Sequence, residues 1–187
     1  QNGAGKSTLF QLITGELKPT EGIYNKNKDV SIAISKQVIP REYLDLTVRD
    51  FFQKSFDKKI YALDPMIEKV LEVVNFHAPL ERIIRSFSGG QQARLLLASA
   101  LIQDPDLLLL DEPTASLDPA TAHEVRNKIR EFALQGTGAV LWTSHNMYEV
   151  EGVCDRVLFL SRGKILLEGN PKTLPAEHGK KTLEEPS

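Results

Sequence analysis

Gln1-Asn2-Gly3-Ala4-Gly5-Lys6-Ser7-Thr8 is the stretch whose reading decides this chain. Gly5-Lys6-Ser7 closes a pattern of Gly, four residues, then Gly-Lys-Ser/Thr, in which a glycine-rich loop cradles phosphate. Glycines let consecutive backbone N–H groups turn toward an anion with no Cβ in the way. Lys6 brings a cation to the β- and γ-phosphates, and the Ser7 hydroxyl can ligate Mg²⁺. The run Thr8-Leu9-Phe10-Gln11-Leu12-Ile13 is apolar at helical spacing, which puts the phosphates at a helix N-terminus. The pattern's opening Gly would stand just before Gln1, so the chain is expected to be one N-terminally truncated domain, binding nucleotide weakly by itself.

Outward from this loop, the predicted helix runs from Lys6 to Leu17 and stops before the turn-rich Lys18-Pro19-Thr20-Glu21-Gly22. Val30 to Ile34 alternates as a strand, and Gln37 follows it, in isolation an ordinary loop residue. From Thr47 to about Phe87 the apolar residues recur at spacings of three and four, without a strand. Asp64-Pro65 suggests an N-cap with Pro at the first helical position. The segment reads as a helical insertion in an α/β domain, and Phe51, Phe52 and Phe56 as core.

Ser88-Gly89-Gly90-Gln91 precedes an apolar helix that includes Leu95 to Ile102, with Ser88 as its N-cap. Taken alone, this is a glycine-rich helix entry. Leu107-Leu108-Leu109-Leu110 is a strand covered on both faces, and Asp111 and Glu112 emerge from its C-terminal end. Ligands of open α/β sheets sit at that end, and a charge pair leaving a buried strand is costly unless used. Ser116-Leu117-Asp118 lies in a loop before a helix opened by Pro119. Ala139 to Thr143 is another strand, with Ser144-His145 at its end and Trp142 in the core. A helix from Met147 to Cys154 and a hairpin, Val157 to Leu160 and Lys164 to Leu167 turned by Arg162-Gly163, complete the pattern.

Composition narrows the classes. At 187 residues and 41% hydrophobic, the chain can bury a sizeable core. A net charge of -2 gives no reason to expect a nucleic-acid partner. A lone Cys154 excludes an internal disulfide and fits a reducing, cytosolic compartment. No apolar run approaches the roughly 18–20 residues that span a bilayer.

In this order, the phosphate loop, Ser-Gly-Gly-Gln, leucine strand with Asp-Glu, Ser-Leu-Asp and Ser-His resemble the ATP-binding cassette (ABC) ATPases across nearly the whole chain. The resemblance implies a P-loop NTPase-type, mainly parallel α/β sheet. Residues 1–37 and 104–170 would form the catalytic core, 47–103 a helical subdomain, and 171–187 a C-terminal tail. It implies ATP and Mg²⁺ as cofactors. Asn2, Gly3, Ala4, Gly5, Lys6, Ser7 and Thr8 would bind the phosphates, with Ser7 on Mg²⁺. Gln37 would sense Mg²⁺ and the γ-phosphate and touch the membrane partner. Ser88, Gly89, Gly90 and Gln91 would contact ATP held by a second ATPase subunit. Asp111 would hold Mg²⁺ through water and Glu112 would be the general base. Asp118 would work across the dimer, and His145 would contact the γ-phosphate.

The implied function is the ATPase subunit of an ABC transporter, leaning to the exporter type. It would be peripheral on the cytoplasmic face of the cell membrane and would drive permease subunits. Phe87 stands where the signature usually carries Leu. Gln37 follows Lys6 after only 31 positions, a short arm that also resembles the soluble ABC-F proteins acting on ribosomes. Gln91, Ser116-Leu117-Asp118, Ser144-His145-Asn146-Met147 and Cys154-Asp155-Arg156 look like transporter subunits instead. A non-hydrolysing clamp is disfavoured by Glu112 and His145 together and by the absence of a long coiled coil.

Overall fold

Strand β1 (Ile32–Ser35) pairs in parallel with β2 (Leu107–Asp111), in the register Ala33↔Leu108 and Ser35↔Leu110. With β3 (Ala139–Thr143) they make a sheet of order β1-β2-β3, so β2 is central. Four leucines in succession leave this strand no polar face. Leu108 and Leu110 join the large apolar cluster, while Leu109, pointing the other way, is equally buried outside it. The opposite end of the β1–β2 pair is pinned by Asp106, whose carboxylate accepts from the Ser31 N–H at 2.8 Å and hydroxyl at 2.6 Å. Those bonds hold its carboxyl below the ordinary carboxylate range. Replacing Leu108 with Ala is expected to cost about 2–5 kcal/mol of stability, read as a lower denaturant midpoint in the complete protein.

The structure is a computed structural model, and it describes residues 5–135, 138–179 and 183. The chain divides into two compact units, one formed by Lys26–Trp142 and one by Gln1–Asn25 with Thr143–Ser187.

In the first unit, α2 (Val48–Gln53), α3 (Leu63–Val73) and α4 (Gly89–Leu101) supply most of the cluster, and α4 packs on β1 and β2. Ala33 and Ser35 are buried, and such short side chains leave room for a helix on that face. Thr47 caps α2 by accepting from the Asp50 N–H. The expected cap at Asp64 is not formed: α3 already begins at Leu63, after Ala62. The Asp64 carboxylate is instead taken by Arg49, at 2.7 and 2.8 Å. Between residues 74 and 87 the chain is loop and a short 3-10 turn (Ile84–Ser86) rather than α-helix. Helix α5 (Pro119–Gln135) follows β2, with Val125 and Ile129 buried.

In the second unit, α1 (Lys6–Thr14) is three residues shorter than its apolar pattern, because Gly15 adopts φ 81 and ends it. The unit also holds α6 (Met147–Val153), the antiparallel hairpin β4 (Val157–Ser161) and β5 (Lys164–Gly169), and α7 (Leu174–Glu177). Arg162 at φ 49 and Gly163 at φ 73 make the hairpin turn, both left-handed as a two-residue type I′ turn requires. No described helix is long and apolar enough to cross a membrane.

Candidate functional site

Helix α1 starts at a glycine. Gly5 is its N-cap with φ 100, a left-handed conformation that side chains resist, and its carbonyl accepts from the Leu9 N–H at 2.9 Å. With no side chain to cap it and no acid in the first turn, this N-terminus suits an external anion. Lys6 and Ser7 are its first two residues, with Ser7 and Thr8 exposed. Asn2, Gly3 and Ala4 lie outside the described residues.

The same unit brings His145 to Lys6, Nε2 to Nζ at 2.9 Å, although 139 positions separate them. A lysine ammonium can only donate, so this contact needs a neutral imidazole with its proton on Nδ1. His145 sits in a built turn. The Ser144 hydroxyl accepts from the Asn146 N–H at 3.0 Å and donates to Glu149 at 3.2 Å. The Asn146 side chain then caps α6 through the N–H groups of Tyr148 and Glu149.

In the other unit, Asp111 ends β2 and Glu112 follows at φ 50. A left-handed glutamate costs on the order of 1–3 kcal/mol, and such strain concentrates where a side chain must be aimed. Gln37 is exposed in the loop after β1. Because Ser35 pairs with Leu110 in a parallel register, Gln37 and Glu112 leave the same end of the sheet, each two residues past a paired position.

A second group assembles at the start of α4. Ser88 and Gln91 form a capping box: the Gln91 N–H donates to Ser88 Oγ, and Gln91 Oε1 accepts from the Ser88 N–H at 3.0 Å. The Gln91 side chain is therefore used inside the chain. The Ser-x-x-Gln spacing carries that signal in the sequence, beyond the cap expected at Ser88 alone. Just before it, Phe87 is buried in an edge-to-face pair with Phe76, with the Arg82 guanidinium over its ring. It anchors the helix entry as another large apolar residue would.

Ser88, Gly90, Gln91 and Arg94 face Ser116, Leu117 and Asp118 across a cleft of about 230 Å³, with Phe76 at its wall. Asp118 caps α5, accepting from the Thr121 N–H at 3.0 Å. The Thr121 hydroxyl and N–H hold its carboxyl below the usual range. Burial pushes the Cys154 thiol up, away from the reactive thiolate, with Asp155 adding to the effect.

No cluster of three or more His, Cys, Asp or Glu among the described residues forms a dedicated metal cage. Mg²⁺ needs no such cage, since it takes one or two protein oxygens and completes its shell with waters and substrate phosphates.

These features define a P-loop NTPase-type α/β domain. The family model described as "ABC transporter" matches residues 1–115, and the chain belongs to the ABC transporter family. It is 33% identical over 186 residues to Nod factor export ATP-binding protein I of Neorhizobium galegae, covering 92% of this chain and 53% of that protein. Its identity to the protein of the same name from Rhizobium leguminosarum bv. viciae is 34% over 188 residues, covering 94% and 60%. The chain thus spans little more than half the length of these curated relatives. The structure is similar to that of cbiO1 from Clostridium perfringens, part of the ABC transporter complex cbiONQ. The TM-score is 0.78 and the identity 28%, covering 95% of this chain and 77% of that one.

Proposed function

We propose that the chain is the ATP-binding and ATP-hydrolysing part of an exporter-type ABC transporter subunit. The observation that carries the reading is the C-terminal end of the sheet, where Asp111 and the strained Glu112 leave β2, whose Leu108, Leu109 and Leu110 are fully buried, at the end from which Gln37 also emerges. The export function in the names of the two rhizobial relatives supports the transport direction. Residues 1–37 and 104–170 serve as the catalytic core, 47–103 as the helical subdomain and 171–187 as the tail.

In this reading Gly3, Gly5, Lys6, Ser7 and Thr8, with Asn2 and Ala4 between and before them, hold the phosphates of ATP. Ser7 and Asp111 would hold Mg²⁺, which would supply charge stabilisation at the phosphates. Glu112 accepts the proton of the attacking water, and Gln37 and His145 orient groups around the γ-phosphate. Ser88, Gly89 and Gly90 present the N-terminus of α4 to ATP held by a second subunit, so ATP closes a dimer and hydrolysis reopens it. Permease subunits convert this cycle to transport, which keeps the protein on the cytoplasmic face of the membrane. No nucleic-acid partner enters the scheme.

The test uses the complete protein. Chelation with EDTA is expected to reduce ATP hydrolysis to background, and added Mg²⁺ to restore it. The rate should also climb faster than linearly with protein concentration, because each site needs two subunits. Hydrolysis that survives chelation, or that scales linearly from nanomolar to micromolar protein, would count against the scheme.

A further inference from the structure

Helix α4, the signature helix that opens with Ser88-Gly89-Gly90-Gln91, and the loop Ser116-Leu117-Asp118, the aspartate loop, are joined by a polar relay that neither segment's sequence announces. Gly90 and Arg94 are one turn apart on α4 and so share a face. A Cβ on Gly90 would lie 3.5 Å from the Ser116 carbonyl oxygen, so backbone meets backbone there. One turn on, the Arg94 guanidinium forks. One nitrogen donates to the Asn75 carbonyl at 2.6 Å and another to Thr121 Oγ1 at 2.5 Å. Asn75 ends α3 at φ 49, and its amide donates to Glu124 on α5 at 2.6 Å. Thr121 is 8% exposed. Its oxygen accepts from Arg94, and its backbone N–H donates to the Asp118 carboxylate at 3.0 Å.

We propose that Arg94 is a positioning residue for the aspartate loop: by holding the Thr121 hydroxyl it fixes the residue whose N–H orients Asp118 relative to the signature helix of the same subunit. Closure around ATP would then move signature and aspartate loop as one body. This rests on the proposed ATPase reading, since the readout is turnover. A guanidinium is needed because two acceptors on different elements must be held at fixed separation. The point charge of a lysine satisfies one of them at a time.

The experiment measures kcat and KM for ATP in the complete protein carrying Thr121→Val, Thr121→Ser, Arg94→Ala, Arg94→Lys and the Arg94→Ala/Thr121→Val pair. Thr121→Val keeps the shape and removes the relay. It is expected to lower kcat about 10- to 100-fold, the scale of one hydrogen bond to a charged group, with KM within about twofold of wild type. Thr121→Ser keeps the oxygen and should recover most of the loss. Arg94→Lys should behave like Arg94→Ala, and the double variant should be no worse than the weaker single, because both cut the same link. If Arg94→Ala does not fold, the Val–Ser comparison at 121 decides alone. Wild-type turnover in Thr121→Val, equal losses in Val and Ser, or additive effects in the double variant would overturn the relay. They would leave the ATPase reading standing if Glu112→Gln is still inactive. A wild-type protein whose turnover does not depend on Glu112 would overturn both.

Discussion

Glu112→Gln is expected to lower ATP turnover by about 10²–10⁴-fold while ATP binding persists, since an amide keeps the shape of the carboxylate but cannot accept a proton. The left-handed backbone at this position makes the substitution a clean one. Glu112 stands at φ 50, a conformation that Gln adopts at the same cost as Glu, so the variant inherits the local geometry. The ATP-bound dimer should then accumulate, because the step that opens it has been removed. Sizing in ATP–Mg²⁺ would show the complete variant eluting as a dimer where wild type elutes mostly as a monomer. A variant that binds ATP yet stays monomeric, or that hydrolyses it at the wild-type rate, would remove Glu112 from its role.

Lys6→Ala should weaken ATP binding by about 10²–10³-fold, the scale of truncating one partner of a desolvated charge pair. The fold is expected to survive, because Lys6 opens α1 and alanine is the best helix former. Its complement is Gly89→Asp. A Cβ at Gly89 meets nothing within 4 Å, whereas one at Gly90 would approach the Ser116 oxygen and Leu117 of the same chain. Aspartate in the first turn of α4 even favours the helix N-terminus. Any loss it causes must therefore come from outside the subunit, where its carboxylate would face the partner's γ-phosphate. Gly89→Asp alone should bind ATP as a monomer without dimerising or turning over. Mixed with Lys6→Ala, it forms one doubly damaged site and one intact site. Partial ATPase activity should appear in the mixture and in neither variant separately. Normal turnover by Gly89→Asp, or loss of its own monomeric ATP binding, would mean that the signature does not act in trans.

Patterns that depend on near neighbours were legible in the sequence. Four leucines specify a strand buried on both faces, Ser88 a helix cap, Pro119 a helix start, and Arg162-Gly163 a hairpin turn; each appears where local chemistry puts it. Two further local signals act the same way. Gly15 ends α1 at Thr14, and Gln91 completes the box around Ser88. The phosphate-binding character of Gly5, Lys6 and Ser7 likewise follows from residue type and spacing alone.

What the tertiary structure decided is which polar groups find each other over long separations. Asp64 looks like a helix cap, but a guanidinium 15 positions earlier forms two hydrogen bonds with it, a better outlet for a carboxylate than a cap. Lys6 meets His145 across 139 positions, and Arg94 meets Thr121 across 27. Gln37 reads as an ordinary loop residue until the parallel register of β1 on β2 brings it to the end of the sheet from which Glu112 emerges. Periodicity and capping are written in the nearest four residues, because helix and strand geometry repeat over that distance. The partners of a charged or hydroxyl side chain depend on strand register and helix packing, which are settled only when the apolar faces close on one another.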